Sequence, residues 1–178
     1  VGNVIDPNDV ADDLGADLIR LWAASVDTSA DVRVSEEILG QVAEVYRKIR
    51  NTIRFLIQNT EDFNYATDGI AYDNLRGFDQ YILSQLNTMV KDALAAYDNY
   101  NFSEIYKEIN QFCTVVMSNF YMNVSKDVLY IDAPNGYERR AMQTVFYEVV
   151  LKLAKLLTPI IPHTAEEIWS YLDEEEEF

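Results

Sequence analysis

Residues 35–59 read SEEILGQVAEVYRKIRNTIRFLIQN. Ile38, Val42, Val45, Ile49, Ile53 and Leu56 advance by threes and fours, so a helix of 3.6 residues per turn puts them on one apolar stripe. Ser35 suits the N-cap, where its hydroxyl can take up a free backbone N–H, and Glu37 suits the positive end of the helix dipole. A helix from Ser35 to about Asn59 would be roughly 36 Å long. A rod of that length with a single apolar stripe needs other helices to cover it, and this need sets the fold class.

The flanking sequence supplies them. Upstream, Asp6-Pro7 reads as a helix start and Gly15 as its stop. Leu18, Leu21, Trp22 and Ser25 have helical spacing, and Val26 to Val34 reads as a loop. Downstream, Thr60 to Arg76 is a long polar connection, of a length that is uncommon and often functional. A second long helix is predicted from Gly77 to Tyr97, with Phe78, Ile82, Leu86, Met89, Ala93 and Tyr97 on its stripe. A third runs from about Ser103 to Asn123 on Ile105, Ile109, Phe112, Val116 and Phe120, opened by an Asn101/Glu104 capping box. A fourth opens at an Asn135/Glu138 box and runs to about Leu157 on Met142, Val145, Val149, Leu153 and Leu156. A last short helix opens at a Thr164/Glu167 box and ends near Leu172. The expected fold is all-α: a bundle of about four long helices, with short helices at both ends. The expected division is a short-helix connector over 1–34, the bundle over 35–172 and an acidic tail over 173–178.

Composition agrees and narrows the chemistry. The chain has 178 residues, long enough to bury roughly 70% of its unfolded surface without disulfides or a metal. Six Gly and four Pro suit long unbroken helices. The single cysteine, Cys113, excludes an internal disulfide, and the single histidine, His163, excludes a two-histidine site. No apolar run reaches the roughly 18 residues of a membrane span. The acidic stretch Val1 to Asp13 does not read as a signal peptide, so the cytosol is the expected compartment. Val1-Gly2-Asn3 reads as a cut from something larger.

Thirty acids against 14 bases give a net charge of −16, which globally opposes a nucleic-acid partner. Locally the sign reverses. Four basic residues, Arg47, Lys48, Arg50 and Arg54, fall within eight positions. Arg47, Arg50, Asn51 and Arg54 share a face at i, i+3, i+4, i+7, turned away from Ile49 and Ile53, and Lys48 lies off it. Arginine's planar fork fits phosphates and base edges, and Asn pairs with base edges. The pattern allows an RNA anchor, but taken alone it favours a solvated face paired with acids such as Glu44. Cys113 and both tryptophans sit on apolar helix faces and read as core, and His163 reads as a structural residue at a turn. Adjacent carboxylates such as Asp12/Asp13 and Glu166/Glu167 do not face each other on a helix. No catalytic or metal-ligating set is found, and a free-standing hydrolase lacks its nucleophile motif.

Gly2-Asn3-Val4-Ile5-Asp6-Pro7, with Gly15-Ala16-Asp17 and Arg20, resembles the segment after the Lys-Met-Ser-Lys-Ser loop of class I aminoacyl-tRNA synthetases of the isoleucine, valine and leucine group. Leu157-Thr158-Pro159 and Pro162-His163-Thr164-Ala165-Glu166-Glu167-Ile168-Trp169 resemble the end of that group's anticodon-binding bundle. Three further stretches are similar to the isoleucyl members: Leu21-Trp22-Ala23-Ala24-Ser25 with Asp31 to Ser35, Tyr46 to Leu56, and Lys126 to Tyr130 with Glu138 to Thr144. Departures are Tyr81, where Trp is common, and the tail after Leu172.

The resemblance implies an anticodon stem-loop-binding module attached through residues 1–34 to a catalytic core. That core would join isoleucine to its tRNA with ATP and magnesium. The His-Ile-Gly-His signature of that chemistry is absent, so this stretch is expected to be non-catalytic and to hold no cofactor. The implied partners are isoleucine tRNA and the catalytic core, in a monomer without membrane contact. Arg47, Arg50 and Arg54 become expected phosphate or base anchors, Asn51 a sugar or base-edge partner, and Lys48 a longer-range attractor. The same module from a valyl or leucyl enzyme, or an acidic helical protein-interaction domain, is the alternative.

Overall fold

A computed structural model of the chain describes residue 12 and residues 15–27 and 34–172. The expected helix start at Asp6-Pro7 and the acidic tail lie outside the described residues. Helix α1 spans Ala16–Ser25 and α2 spans Glu36–Gln58. A single turn, α3, covers Tyr65–Asp68, and a 3₁₀ turn covers Tyr72–Asn74. Then come α4 (Gly77–Asp98), α5 (Phe102–Gln111), a π-helical segment (Phe112–Tyr121) and α6 (Met122–Ile131). Helices α7 (Tyr137–Leu157) and α8 (Pro162–Trp169) complete the order. There is no strand among the described residues.

Local chemistry accounts for the ends of α1 and α2. Gly15 caps α1 at φ 88°, a left-handed conformation that a side chain would strain. The Ser35 hydroxyl oxygen accepts the Ile38 N–H at 3.2 Å, as the sequence predicts. Helix α2 buries Leu39, Val42, Ile49, Thr52, Ile53 and Leu56 against α1, the π segment and α7. Each large apolar side chain buried in this way contributes roughly 1.5–3 kcal/mol. Helix α7 is the central rod, touched by α2, α3, α4, α6 and α8. Its predicted stripe is buried, and so are Ala141, Phe146, Val150 and Ala154, because a central helix is apolar on more than one side.

The third predicted helix differs from expectation. Its stripe follows Ile105, Ile109 and Phe112 as expected but then shifts to the row of Cys113, Met117 and Tyr121, while Val116 is half-buried and Phe120 is exposed. Ser125 and Leu129 continue the repeat of four. In an α-helix each step of four overruns the turn by about 40°, so such a row would spiral off the core. The π segment's wider i→i+5 winding turns it back, which keeps one face inward through α6.

The three predicted capping boxes do not form. Asn101 precedes α5 but makes no side-chain cap; its Oδ1 accepts from Ser103 Oγ at 3.1 Å instead. At α7 the cap comes from farther back: Asp132 Oδ2 accepts the Arg139 N–H at 3.3 Å, and Glu138 turns to Arg76 at 3.4 Å. Gly136 makes room for this, since a Cβ there would sit 2.2 Å from Asp132 Oδ2. At α8, Thr164 lies inside the helix and is itself capped by Asp17 of α1, as described below.

The expected polar connection at Thr60 to Arg76 holds two short helical turns and is pinned across α7. Ile70 N–H donates to Thr144 Oγ1 at 3.0 Å and the Tyr65 hydroxyl to Glu148 at 2.6 Å. The Tyr65 and Tyr147 rings stack at 4.7 Å.

Candidate nucleic-acid interface

Arg47, Lys48, Arg50, Asn51 and Arg54 are all exposed on α2; Ile49 is buried away from them, whereas the buried Ile53, expected to face away, lies at the floor of the same cleft. The structure brings four of them together. Arg47, Arg50, Asn51 and Arg54 line one wall of a cleft of about 530 Å³. Thr164, Glu167 and Ile168 of α8 form the facing wall, with Tyr171 beyond them and Glu61 also at the cleft. Lys48 does not line it, in keeping with its position off the shared face.

The wall is charged but partly compensated. Arg47 pairs with Glu44 at 2.9 Å and Arg50 with Glu167 at 3.3 Å. With about half of each side chain exposed, such pairs contribute roughly 0–1 kcal/mol and yield readily to a stronger anion. The Arg50 guanidinium also sits 5.6 Å from the centre of the Tyr46 ring. Arg54 makes no ion pair with the described residues.

Sequence reasoning missed the facing wall. Glu167 is 117 positions from Arg50, beyond the reach of helical periodicity. Tyr46 was visible, since it stands one helical turn before Arg50 on α2.

Other polar groups are engaged elsewhere. Asp62 of the α2–α3 connection takes both Arg139 Nη2 contacts at 3.1 Å and Gln143 Nε2 at 2.7 Å. Burial pushes the Asp62 carboxyl up, but these donors outweigh it and hold its pKa below the ordinary value. Burial raises the Cys113 thiol to about 12, far from thiolate reactivity. His163 is exposed. Among the described residues no group of three or more His, Cys, Asp or Glu is placed to hold a metal ion, and no helix is long and apolar enough to cross a membrane.

An exposed cationic wall, a facing helix and a ring at the cleft suit a flexible polyanion such as an RNA loop. Comparisons with known proteins concern the chain's family and fold. Residues 79–178 match the family described as the anticodon-binding domain of tRNA ligase. The chain is 60% identical over 99% of its length to the isoleucine–tRNA ligase of Streptococcus pyogenes serotype M28, and 58% identical over 97% to that of Listeria innocua serovar 6a. It spans about a fifth (19%) of the length of these relatives. Among solved structures, the agnB2 LeuRS of Agrobacterium radiobacter K84, crystallised as a LeuRS–tRNA–LeuAMS complex, superposes with a TM-score of 0.70 at 19% identity, over 98% of this chain and 20% of that one. The apo methionyl-tRNA synthetase of Mycobacterium tuberculosis gives 0.70 at 20% identity, over 92% of this chain and 34% of that one. By the match over residues 79–178, the chain belongs to the family of anticodon-binding domains of tRNA ligases.

Proposed function

We propose that this chain is the anticodon stem-loop-binding module of an isoleucine–tRNA ligase and performs no chemistry itself. The observation that carries this reading is the α2 wall: Arg47, Arg50, Asn51 and Arg54 concentrated along one cleft in a chain of net charge −16. The Arg50 and Arg54 forks would take phosphate oxygens or base edges, Arg47 would add a phosphate contact, and Asn51 would bond a sugar or base edge. Lys48 would add attraction at longer range. Distant acids oppose this only weakly, because charges more than about 8 Å apart are largely screened at physiological salt. The longer protein would join isoleucine to its tRNA with ATP and magnesium, in the cytoplasm and as a monomer. The groups for that chemistry would lie in its catalytic core.

The test is binding of the chain to isoleucine tRNA and to a tRNA with another anticodon, across a salt series. Affinity should fall with salt at a log–log slope of about −0.7 to −0.9 per phosphate contacted. Reversing charge in Arg50→Glu/Arg54→Glu should abolish most of that binding. Unchanged binding by this variant would overturn the site, and no binding by the unaltered chain at low salt would overturn the function. Preference for isoleucine tRNA would locate anticodon reading in this module, whereas equal binding would leave the wall as a phosphate anchor.

A further inference from the structure

Behind the cleft, three helices are tied by one chain of hydrogen bonds. Asp17 of α1 is buried, with 6% of its surface exposed. A carboxylate removed from water is costly unless its oxygens are taken up. Asp17 Oδ2 accepts the Thr164 backbone N–H at 2.7 Å and the Thr164 hydroxyl at 2.7 Å, across 147 residues of sequence. Its Oδ1 accepts from Arg20 Nη1 at 3.2 Å. Helix α8 begins with Pro162, which has no N–H, and Ala165 N–H is taken by Ile161 O. Asp17 therefore satisfies one of the few unpaired donors of that helix end, and its charge suits the positive pole.

The chain continues into the cleft wall. A threonine hydroxyl has one proton, and here it goes to Asp17. The 2.8 Å contact between Thr164 Oγ1 and the Tyr46 hydroxyl is therefore donated by Tyr46. The Tyr46 ring carries the Arg50 guanidinium at 5.6 Å, and Arg50 reaches Glu167, one turn beyond Thr164 on α8. Asp17, Thr164, Tyr46 and Arg50 thus form a single line from α1 to the cleft.

We infer that Asp17 is a positioning residue for the cleft, acting through Thr164 and Tyr46 to hold the Arg50 guanidinium where an RNA anion would meet it. This rests on the RNA-binding reading of the cleft. Neither Asp17 nor Thr164 needs to touch RNA. Their effect is to fix the ring on which Arg50 rests, so less side-chain freedom is lost on binding.

A double-mutant cycle tests this, using the full chain and an isoleucine tRNA transcript. Asp17→Ala should weaken binding about three- to tenfold, with Asp17→Asn restoring most of the loss because its amide oxygen still accepts from Thr164. Combined with Arg50→Ala, Asp17→Ala should cost nothing further; combined with Arg54→Ala, the losses should multiply. A general loss of fold would not distinguish the two arginines. Losses that multiply with Arg50→Ala overturn the inference. If Asp17→Ala does not fold, Tyr46→Phe decides by the same cycle, since it removes one hydroxyl and keeps the ring. The Arg50 Nε–Hε NMR signal gives a readout independent of RNA. It should move in Tyr46→Phe and Asp17→Ala and stay fixed in Glu44→Gln, and an unmoved signal overturns the inference. If the unaltered chain binds no RNA, the proposed function fails while this signal still decides the positioning role.

Discussion

The Tyr121 hydroxyl donates to Asp79 Oδ1 at 2.8 Å, joining the π-helical segment to the first turn of α4 inside the core. Both residues are fully buried. Arg76 completes the set, with Nε and Nη2 on the two Asp79 oxygens at 2.7 and 3.0 Å. The wider π winding turns Tyr121 inward to this carboxylate, while its neighbour Phe120 faces outward.

Removing the acceptor should therefore cost more than removing one donor. Asp79→Ala leaves the buried Tyr121 hydroxyl without its acceptor and Arg76 with Glu138 alone, and should destabilise by about 3–5 kcal/mol. Tyr121→Phe leaves Asp79 its arginine fork and should cost about 1–2 kcal/mol. Urea unfolding checks the order, and a larger loss for Tyr121→Phe would contradict it.

Alkaline pH should weaken the fold. Burial raises the Tyr97 phenol from 10.0 to about 12 and the Cys113 thiol from 9.0 to about 12. Burial, and next the Asp79 charge, pushes the Tyr121 phenol well above its ordinary value. A raised folded pKa means the folded state keeps its proton after the unfolded state has lost it. The stabilisation is complete below the unfolded values and falls as pH rises towards the folded ones. Denaturant midpoints should drop between pH 9 and 12, and Cys113→Ala should make the drop shallower.

Acid should weaken it by the opposite route. Burial raises the Asp62 and Glu148 carboxyls, yet Arg139 and Gln143 at Asp62, and Lys152 and Tyr65 at Glu148, outweigh it and hold both below their ordinary values of 3.8 and 4.5. Their stabilisation is present above those values and is lost as pH falls through the lower folded ones. Asp62→Asn should flatten the acid limb of a stability–pH curve, and an unchanged limb would exclude Asp62 as a contributor.

Within the cleft, Glu167 competes with any anion for Arg50. Glu167→Gln should tighten tRNA binding about two- to fivefold, the scale of an exposed ion pair. Fluorescence anisotropy would read this, and weaker binding would show that Glu167 contacts RNA directly.

Arg47 and Arg54 should differ. Arg47 already shares its charge with Glu44 at 2.9 Å, and Arg54 has no ion-pair partner among the described residues. Arg54→Ala should flatten the salt slope by about 0.7–0.9, one phosphate's worth, and Arg47→Ala by less. Equal slopes would mean that the Glu44 pair does not persist in solution.

The long helices were legible because a buried stripe repeats every three or four residues, and α2, α4 and α7 follow that rule within a residue or two of their expected ends. Legibility ended where the winding changed. The expected stripe ran on from Phe112 to Val116 and Phe120, whereas across the i→i+5 winding the row that lies inward is Cys113, Met117 and Tyr121, the last bonded to Asp79. The capping boxes failed for a related reason. A local Ser, Thr or Asn is only one bidder for a helix end, and at α7 and α8 the carboxylates of Asp132 and Asp17 take that place.

By itself, the sequence determined the all-α class, the Ser35 cap and the shared face of Arg47, Arg50, Asn51 and Arg54, all consequences of interactions within a few residues along one helix. Only the tertiary structure decided that this face looks onto α8 across a cleft, that Glu167 shields Arg50, and that Asp17 caps the opposite wall. Those contacts join residues more than a hundred positions apart. Which of them meet depends on how the rods pack, and packing is fixed by the summed burial of the whole core rather than by any local pattern.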